Sequence, residues 1–250
     1  MESTKTPKLA PLAVGDIVRL VSPASLRDEA DVQSCLTFLA GLGLKPQVGA
    51  YALDRYGYLA GRDEDRLADL NDAIRDQTVR AIIATRGGKG AYRIADGVDF
   101  AAIRANPKVL IGFSEITILH LAIWKQCSVP GIHGAAWSPV QSGETSSRSF
   151  ETAISSTEDT LVHSHEGEPT TNLTTSGKVT GTLIGGQPIK TVAAMLAFDG
   201  RIEPVQRRKM LSPCRGLDAR LEYVRPDRGP EARNAGRSHA SHAGDRRRYR

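Results

Sequence analysis

Short apolar runs alternate along the first half of this chain with longer stretches in which apolar residues recur every three or four positions. The short runs end at Gly, Ser or Pro, which is typical of buried strands. The longer stretches have the spacing of helices that bury one face. This alternation predicts an α/β fold in which helices cover both faces of a parallel sheet.

The pattern defines a Rossmann-like N-terminal domain over residues 1–138. Strands are predicted over residues 16–21, 45–48, 79–84 and 109–112 and near residues 128–133. Helices are predicted over residues 28–42, 62–76 and 116–126, with a short one starting at Ala91.

The composition changes after this domain. Residues 139–175 are rich in Ser, Thr, Gly and Glu, which predicts a linker that is ordered in part at best. Residues 176–200 predict a strand over 178–184 and a helix over 189–198, the start of a smaller C-terminal domain. Residues 201–250 contain 13 Arg and no Trp or Phe, a composition that predicts disorder.

The net charge of +5 belongs to the tail. Residues 201–250 hold 14 of the 33 Lys and Arg and 6 of the 28 Asp and Glu, which leaves 19 basic and 22 acidic residues in 1–200. The predicted domain is therefore slightly acidic, and we expect no nucleic-acid partner.

The cysteines and the apolar runs bear on the compartment. Cys35, Cys127 and Cys214 match neither a metal-binding spacing nor a disulfide framework, which favours a reducing, cytoplasmic compartment and no metal. No run approaches the roughly 20 apolar residues of a membrane span, and the N-terminus lacks the apolar core of a secretory signal.

Ser114 occupies a turn between the predicted strand 109–112 and the predicted helix 116–126. A Ser at such a turn exposes its hydroxyl at the carboxyl end of the sheet, where the first N–H groups of the helix point into the same space. That arrangement suits a nucleophile. The alternative is that Ser114 only caps the helix. The segment also lacks the second Gly of G-x-S-x-G, so the pattern leaves both interpretations open.

The Gly-rich loop Arg86–Gly90 also separates a strand from a helix. Its N–H groups could surround a phosphate, or Gly87 and Gly88 could approach an acyl oxyanion, or the loop could be only a tight turn. Arg93 stands where G-x-G-x-x-G has its third Gly, which disfavours a nucleotide site.

Two histidines lie in predicted elements. His120 lies on the predicted helix and is expected to be a packing residue that points away from Ser114. His133 lies at a predicted strand end and could line the cleft that contains Ser114. The remaining ones lie in the linker and tail and support no metal site: His163, His165, His239 and His242.

Four linked segments resemble the LD-carboxypeptidase family of serine peptidases, which includes murein tetrapeptide carboxypeptidases and microcin self-immunity peptidases. They are GYLAGRDEDRLADLNDAI (57–74), AIIATRGGKGAYRI (81–94), DFAAIRANPKVLIGFSEITILHLAI (99–123) and GIHG (131–134). The resemblance spans roughly residues 16–189.

The resemblance implies roles for particular residues. Ser114 would be the nucleophile, and the backbone N–H groups of Glu115 and Gly88, with Gly87 adjacent, would hold the oxyanion. Glu115 replaces the more usual Asp, and Gln187 stands where many members have Asn. The family's His base and its Glu partner lie in the second domain, and we find neither block.

The implied activity is that of a cytoplasmic serine carboxypeptidase without cofactor or metal, which removes a terminal D-Ala from murein tetrapeptide and could form a homodimer. Alternatives are a peptidase for a peptidyl-nucleotide toxin and a non-catalytic remnant that binds peptide. The composition break near residue 200 suggests a frameshift or truncation, so we expect impaired activity. Glu203, His239 and His242 lack the family's surroundings and receive no role.

Overall fold

The computed structural model describes residues 7, 9–134 and 139–157 of the chain. Its strands all pair in parallel, as the alternating pattern predicts. They are β1 (Ile17–Val21), β2 (Lys45–Val48), β3 (Val79–Ala84), β4 (Val109–Gly112) and β5 (Ile132–His133). Their order across the sheet is β2-β1-β3-β4-β5.

The structure has six α-helices in the described residues, and these include all four that the sequence predicts within residues 1–138. They are α1 (Glu29–Gly41), α2 (Asp63–Arg75), α3 (Ala91–Ile94), α4 (Phe100–Ala105), α5 (Thr117–Cys127) and α6 (Pro139–Ser155). The sequence pattern missed α4, which begins after Asp99. The Asp99 side chain accepts a hydrogen bond of 2.9 Å from the Ala102 N–H and so caps this short helix.

Alternate residues of the central strands enter two separate cores, one on each face of the sheet. Ile82 and Leu110 pack against α2, α3, α4 and α5. Their neighbours Ile83 and Ile111 pack on the opposite face, against α1 and α6. Helices therefore cover both faces, and the predicted α/β fold is confirmed.

Helix α6 occupies the first part of the segment in which the composition predicts a linker. Phe150 and Ile154 are spaced four apart and only 5% exposed, and the Phe150 ring lies 6.0 Å from that of Phe38. The Ile154 carbonyl accepts a hydrogen bond of 2.7 Å from the Leu12 N–H. Two apolar residues at helical spacing and this backbone hydrogen bond hold the Ser-rich and Thr-rich segment against the sheet.

Several sequence predictions fall outside the described residues. These are the rest of the linker, the strand and helix of residues 176–200, the Arg-rich tail, Cys214 and the four histidines of the linker and tail. Within the part that the structure describes, no helix is both long and apolar enough to cross a bilayer. Nor do the described residues group three or more His, Cys, Asp or Glu side chains in a way that could hold a metal ion.

The strand order brings three loops to one edge of the sheet. Strands β1, β3 and β4 are neighbours and run in parallel, so the loops that follow them meet at their carboxyl ends. These loops contain Ser25, the Gly-rich segment Arg86–Gly90 and Ser114.

Candidate active site

Ser114 has a left-handed backbone conformation, with φ of 58°. This conformation is uncommon for a residue with a side chain, and it occurs here between β4 and the 3₁₀ turn Ser114–Ile116 that leads into α5. The N-cap positions of that turn and of α5 are Phe113 and Ile116. Ser114 is therefore not the N-cap of either element, which weakens the capping interpretation. A strained Ser on a strand-to-helix turn is the geometry of a nucleophile elbow.

Gly87 packs directly against Ser114. A Cβ at position 87 would lie 2.7 Å from the Ser114 Cβ, 3.2 Å from its Oγ and 2.8 Å from the Phe113 carbonyl oxygen. Any side chain at this position would therefore displace the Ser or its backbone. The glycine allows the loop after β3 to approach the loop after β4.

Position 88 requires a glycine for a different reason. Its φ is +107°, and a Cβ there would collide with the Ser25 Oγ and lie 2.6 Å from the Ser25 Cβ. Among the described residues, no acceptor receives the Gly88 N–H. The loop next to Ser114 thus presents a backbone donor, which an oxyanion site requires.

Ser25 contacts the Gly-rich loop through two hydrogen bonds. Its N–H donates to the Gly87 carbonyl at 3.2 Å, and its Oγ accepts from the Lys89 N–H at 3.0 Å. Sequence reasoning assigned Ser25 no role. The position of Ser25 just after β1 could have indicated that it lies near the Gly-rich loop, but only if β1 and β3 were known to be neighbours in the sheet.

The Glu115 side chain links the starts of two helices. It is completely buried, and its Oε2 accepts a hydrogen bond of 3.0 Å from the Ala91 N–H at the beginning of α3. Sequence reasoning considered only the backbone N–H of Glu115. The side chain also fixes the loop after β4 relative to the end of the Gly-rich loop.

Arg66 supports the loop that carries Ser25. Its buried guanidinium donates to the Pro23 carbonyl at 2.5 Å and pairs with Asp63, which also accepts from Arg93 at 2.7 Å. Burial alone would raise the pKa of Asp63, but the hydrogen bonds from Arg93 and Arg66 outweigh it and lower that pKa. The carboxylate therefore stays charged and paired at neutral pH.

His120 is a packing residue, as the sequence predicts. Its Nε2–H donates to the Leu110 carbonyl at 3.1 Å. Burial and the neighbouring His133 lower the pKa of His120 to about 4, and the Leu110 bond only partly offsets them. The His133 ring lies 6.4 Å from that of His120, at the end of β5. Although the residue as a whole is exposed, the chain around its ring excludes part of the solvent, and this desolvation lowers its pKa.

A phosphate site in the Gly-rich loop has little physical support. The helix that follows this loop, α3, contains only four residues. A helix this short supplies little of the dipole that attracts phosphate in nucleotide-binding folds. The contacts of Gly87 and Gly88 with the two serines agree better with an oxyanion site.

The comparison with known protein families agrees with this geometry. Residues 18–134, which include all three loops, match the LD-carboxypeptidase N-terminal domain of peptidase family S66. This part of the chain belongs to the LD-carboxypeptidase family. The resemblance inferred from the sequence motifs is thereby confirmed.

Relatives of this LD-carboxypeptidase domain include two named for murein peptides. The probable murein peptide carboxypeptidase of Bacillus subtilis (strain 168) is 38% identical over 180 residues, which are 69% of this chain and 54% of the relative. The murein tetrapeptide carboxypeptidase of Pseudomonas aeruginosa is 35% identical over 127 residues, 50% of this chain and 40% of the relative. The chain thus spans about half the length of the curated relatives it matches.

A solved structure shares the fold of this LD-carboxypeptidase domain. MccF in complex with glutamyl sulfamoyl guanosine superposes with a TM-score of 0.64 at 23% identity. The match covers 75% of this chain and 64% of that one. At this identity the likeness establishes the fold alone.

Proposed function

We propose that this chain acts as a serine-type LD-carboxypeptidase that removes the terminal D-Ala from murein tetrapeptide. The observation that carries the proposal is the packing of Gly87 against Ser114 inside an LD-carboxypeptidase domain. Ser114 has the strained turn of a nucleophile, and the loop beside it offers a backbone donor. The murein substrate is proposed because the two relatives reported above are named for murein peptides.

The reaction would proceed through an acyl-enzyme. The Ser114 Oγ attacks the carbonyl carbon that precedes D-Ala, and its proton passes to a general base. The N–H groups of Glu115 and Gly88 stabilise the oxyanion. The C–N bond then breaks, D-Ala leaves with a proton on its amine, and water hydrolyses the ester to regenerate Ser114.

We assign the general base to none of the residues that the structure describes. His120 has a low pKa and donates its Nε2–H to Leu110, so it does not serve as the base. His133 is exposed near the carboxyl edge of the sheet and is the first residue to test in this role.

We also propose that the enzyme works in the cytoplasm, without a nucleic-acid or membrane partner. The free cysteines Cys35 and Cys127 of the described residues fit a reducing compartment. Burial raises the pKa of the Cys35 thiol to about 12, so the thiol stays protonated and unreactive.

We further propose that the chain forms the homodimer that the family resemblance suggests.

The decisive experiment measures D-Ala release. Purified chain and its Ser114→Ala variant are incubated with a murein tetrapeptide that ends in D-Ala, and released alanine is measured by chromatography, which detects either stereoisomer. The same peptide ending in L-Ala controls for stereochemistry. We expect slow release by the chain, in keeping with the impaired activity that the sequence predicts, and no release by the variant.

Two other outcomes correspond to the alternatives. Peptide binding without Ser114-dependent release would support a non-catalytic peptide-binding protein and contradict the proposal. Cleavage of a glutamyl sulfamoyl nucleoside, without cleavage of the tetrapeptide, would contradict the murein substrate and indicate a peptidyl-nucleotide substrate instead. A matched His133→Gln variant asks whether any release depends on that side chain.

A further inference from the structure

We propose that Ser25 is a positioning residue that sets the direction of the Gly88 N–H and thereby its ability to hold the oxyanion. This role rests on the proposed serine peptidase function. Ser25 touches none of the reacting atoms in the mechanism above, and it acts through the peptide groups on either side of Gly88.

The first peptide group joins Gly87 to Gly88. A trans peptide is planar, so its carbonyl and its N–H point in opposite directions. The Ser25 N–H holds the Gly87 carbonyl at 3.2 Å, which directs the Gly88 N–H away from Ser25. Rotation of this peptide group would break that hydrogen bond and misdirect the proposed oxyanion donor.

The second peptide group joins Gly88 to Lys89. Its N–H donates to the Ser25 Oγ at 3.0 Å, so Ser25 holds the backbone on both sides of Gly88. The left-handed φ of Gly88, +107°, is the conformation in which both hydrogen bonds are made. A glycine reaches this conformation freely, and the two bonds select it from the many that glycine can adopt.

Ser25 is itself held firmly enough to serve this role. The Ala24 carbonyl accepts a hydrogen bond of 3.1 Å from the Ala60 N–H, and the preceding Pro23 carbonyl accepts from the buried Arg66. The loop after β1 is thus fixed to the remainder of the domain before it contacts the Gly-rich loop. A misplacement of about 1 Å in a catalytic group can cost about 10²-fold in rate, so this support has kinetic consequences.

The test uses the full chain with Ser25→Ala, which removes the acceptor for the Lys89 N–H and leaves the Ser25 N–H in place. The oxyanion forms only in the transition state, so a misdirected donor lowers kcat and leaves substrate binding unchanged. We expect kcat for D-Ala release to fall about 10- to 100-fold, with KM within about twofold, compared with the 10²- to 10³-fold typical of losing a donor outright.

A peptide boronic acid in which boron replaces the scissile carbonyl carbon, on the residue that precedes D-Ala in the substrate, gives a second readout that needs no turnover. The Ser114 oxygen adds to the trigonal boron, the hydroxyl proton passes to solvent, and a boron-bound oxygen occupies the oxyanion position. The Kd of this adduct is expected to rise about tenfold in Ser25→Ala, whereas the Kd of the unreactive tetrapeptide in a Ser114→Ala background should not change.

Ser34→Ala is the matched control, because the Ser34 Oγ donates to the Ala30 carbonyl at 2.9 Å on the exposed side of α1. It should leave kcat and both Kd values unchanged. If the wild-type chain forms a Ser114-dependent adduct and Ser25→Ala binds it equally well, the role of Ser25 is wrong. If the wild-type chain forms no such adduct, the proposed function itself is wrong, and the role of Ser25 is rejected with it.

Discussion

Gly87 and Ser114 lie so close together that a methyl group on Gly87 would come within 2.7 Å of the Ser114 Cβ. The same methyl group would lie 2.8 Å from the Phe113 carbonyl oxygen, a backbone atom that cannot rotate away. We therefore expect Gly87→Ala to lower the free energy of unfolding by about 1–3 kcal/mol, the usual cost of overpacking. D-Ala release should fall by more than about tenfold, because Ser114 is displaced.

Urea unfolding and the D-Ala assay measure these effects, and Gly41→Ala is the control. A Cβ at Gly41, the last residue of α1, would meet nothing within 4 Å. This substitution should leave activity unchanged and the free energy of unfolding equal or up to about 1 kcal/mol higher. Equal stability of the Gly87→Ala protein and the wild type would show that the two loops do not pack as described.

The left-handed backbone of Ser114 predicts an unusual order of stability for two substitutions. Ser114→Ala and Ser114→Gly both remove the hydroxyl, but only Gly adopts a φ of 58° without a steric penalty. The Gly variant should therefore have the higher free energy of unfolding, by about 1 kcal/mol. At Ser34, inside helix α1, the order should reverse, with Ala more stable than Gly by about 0.5–1 kcal/mol. The same order at both positions would argue against the strained turn.

The buried Glu115 side chain predicts a difference in stability between a substitution that keeps its hydrogen-bonding oxygen and one that removes it. Glu115→Gln keeps an oxygen that can accept from the Ala91 N–H, whereas Glu115→Ala leaves this buried N–H without that acceptor. We expect the Ala variant to lose about 1–3 kcal/mol of unfolding free energy and the Gln variant clearly less. Chemical denaturation of the two variants side by side measures this difference. Equal losses would mean that the bond to Ala91 contributes little.

His120 should make the fold less stable in mild acid. Its pKa is about 4 in the folded chain and 6.5 when unperturbed, so between these values the unfolded chain binds a proton that the folded chain does not. The contribution of the neutral His120 to the free energy of unfolding is therefore complete above about pH 6.5. It falls by roughly 3 kcal/mol as the pH is lowered towards 4. Urea unfolding of the wild type and of His120→Gln, measured from pH 7.5 to 4, tests this. The variant should show a shallower decline, and parallel curves would contradict the assignment.

Most of the sheet could be predicted from the apolar runs, because a buried strand is a local pattern. Strands β2, β3 and β4 have the predicted bounds. Helix α4 is six residues long, too short for periodicity to reveal it, and only the capping Asp99 signals it. The composition predicts a linker where α6 lies, because Phe150 and Ile154 are sparse among Ser and Thr and their burial depends on the sheet surface that they cover.

Some features of the candidate site could likewise be predicted from the sequence, and others could not. The turn at Ser114 and the glycines Gly87 and Gly88 could be proposed from the motifs, because their chemistry depends on local backbone shape. The contacts of Ser25 and of the Glu115 side chain could not, because they depend on β1, β3 and β4 being neighbours. Hydrogen bonds between loops depend on the order of the strands in the sheet, and the sequence of one segment does not reveal that order.

The hydrogen bonds that fix the Gly-rich loop span very different lengths of chain, which bears on the order of folding. The bond between Ala91 and Glu115 closes a loop of 24 residues, whereas the bond between Ser25 and Lys89 closes one of 64. Longer loops cost more entropy to close, so we expect the turn at Ser114 to form with β3 and β4, and Ser25 to arrive when β1 docks. A refolding chain would then regain native-like secondary structure before the Gly88 N–H is directed, and enzymatic activity would be among the last properties to return.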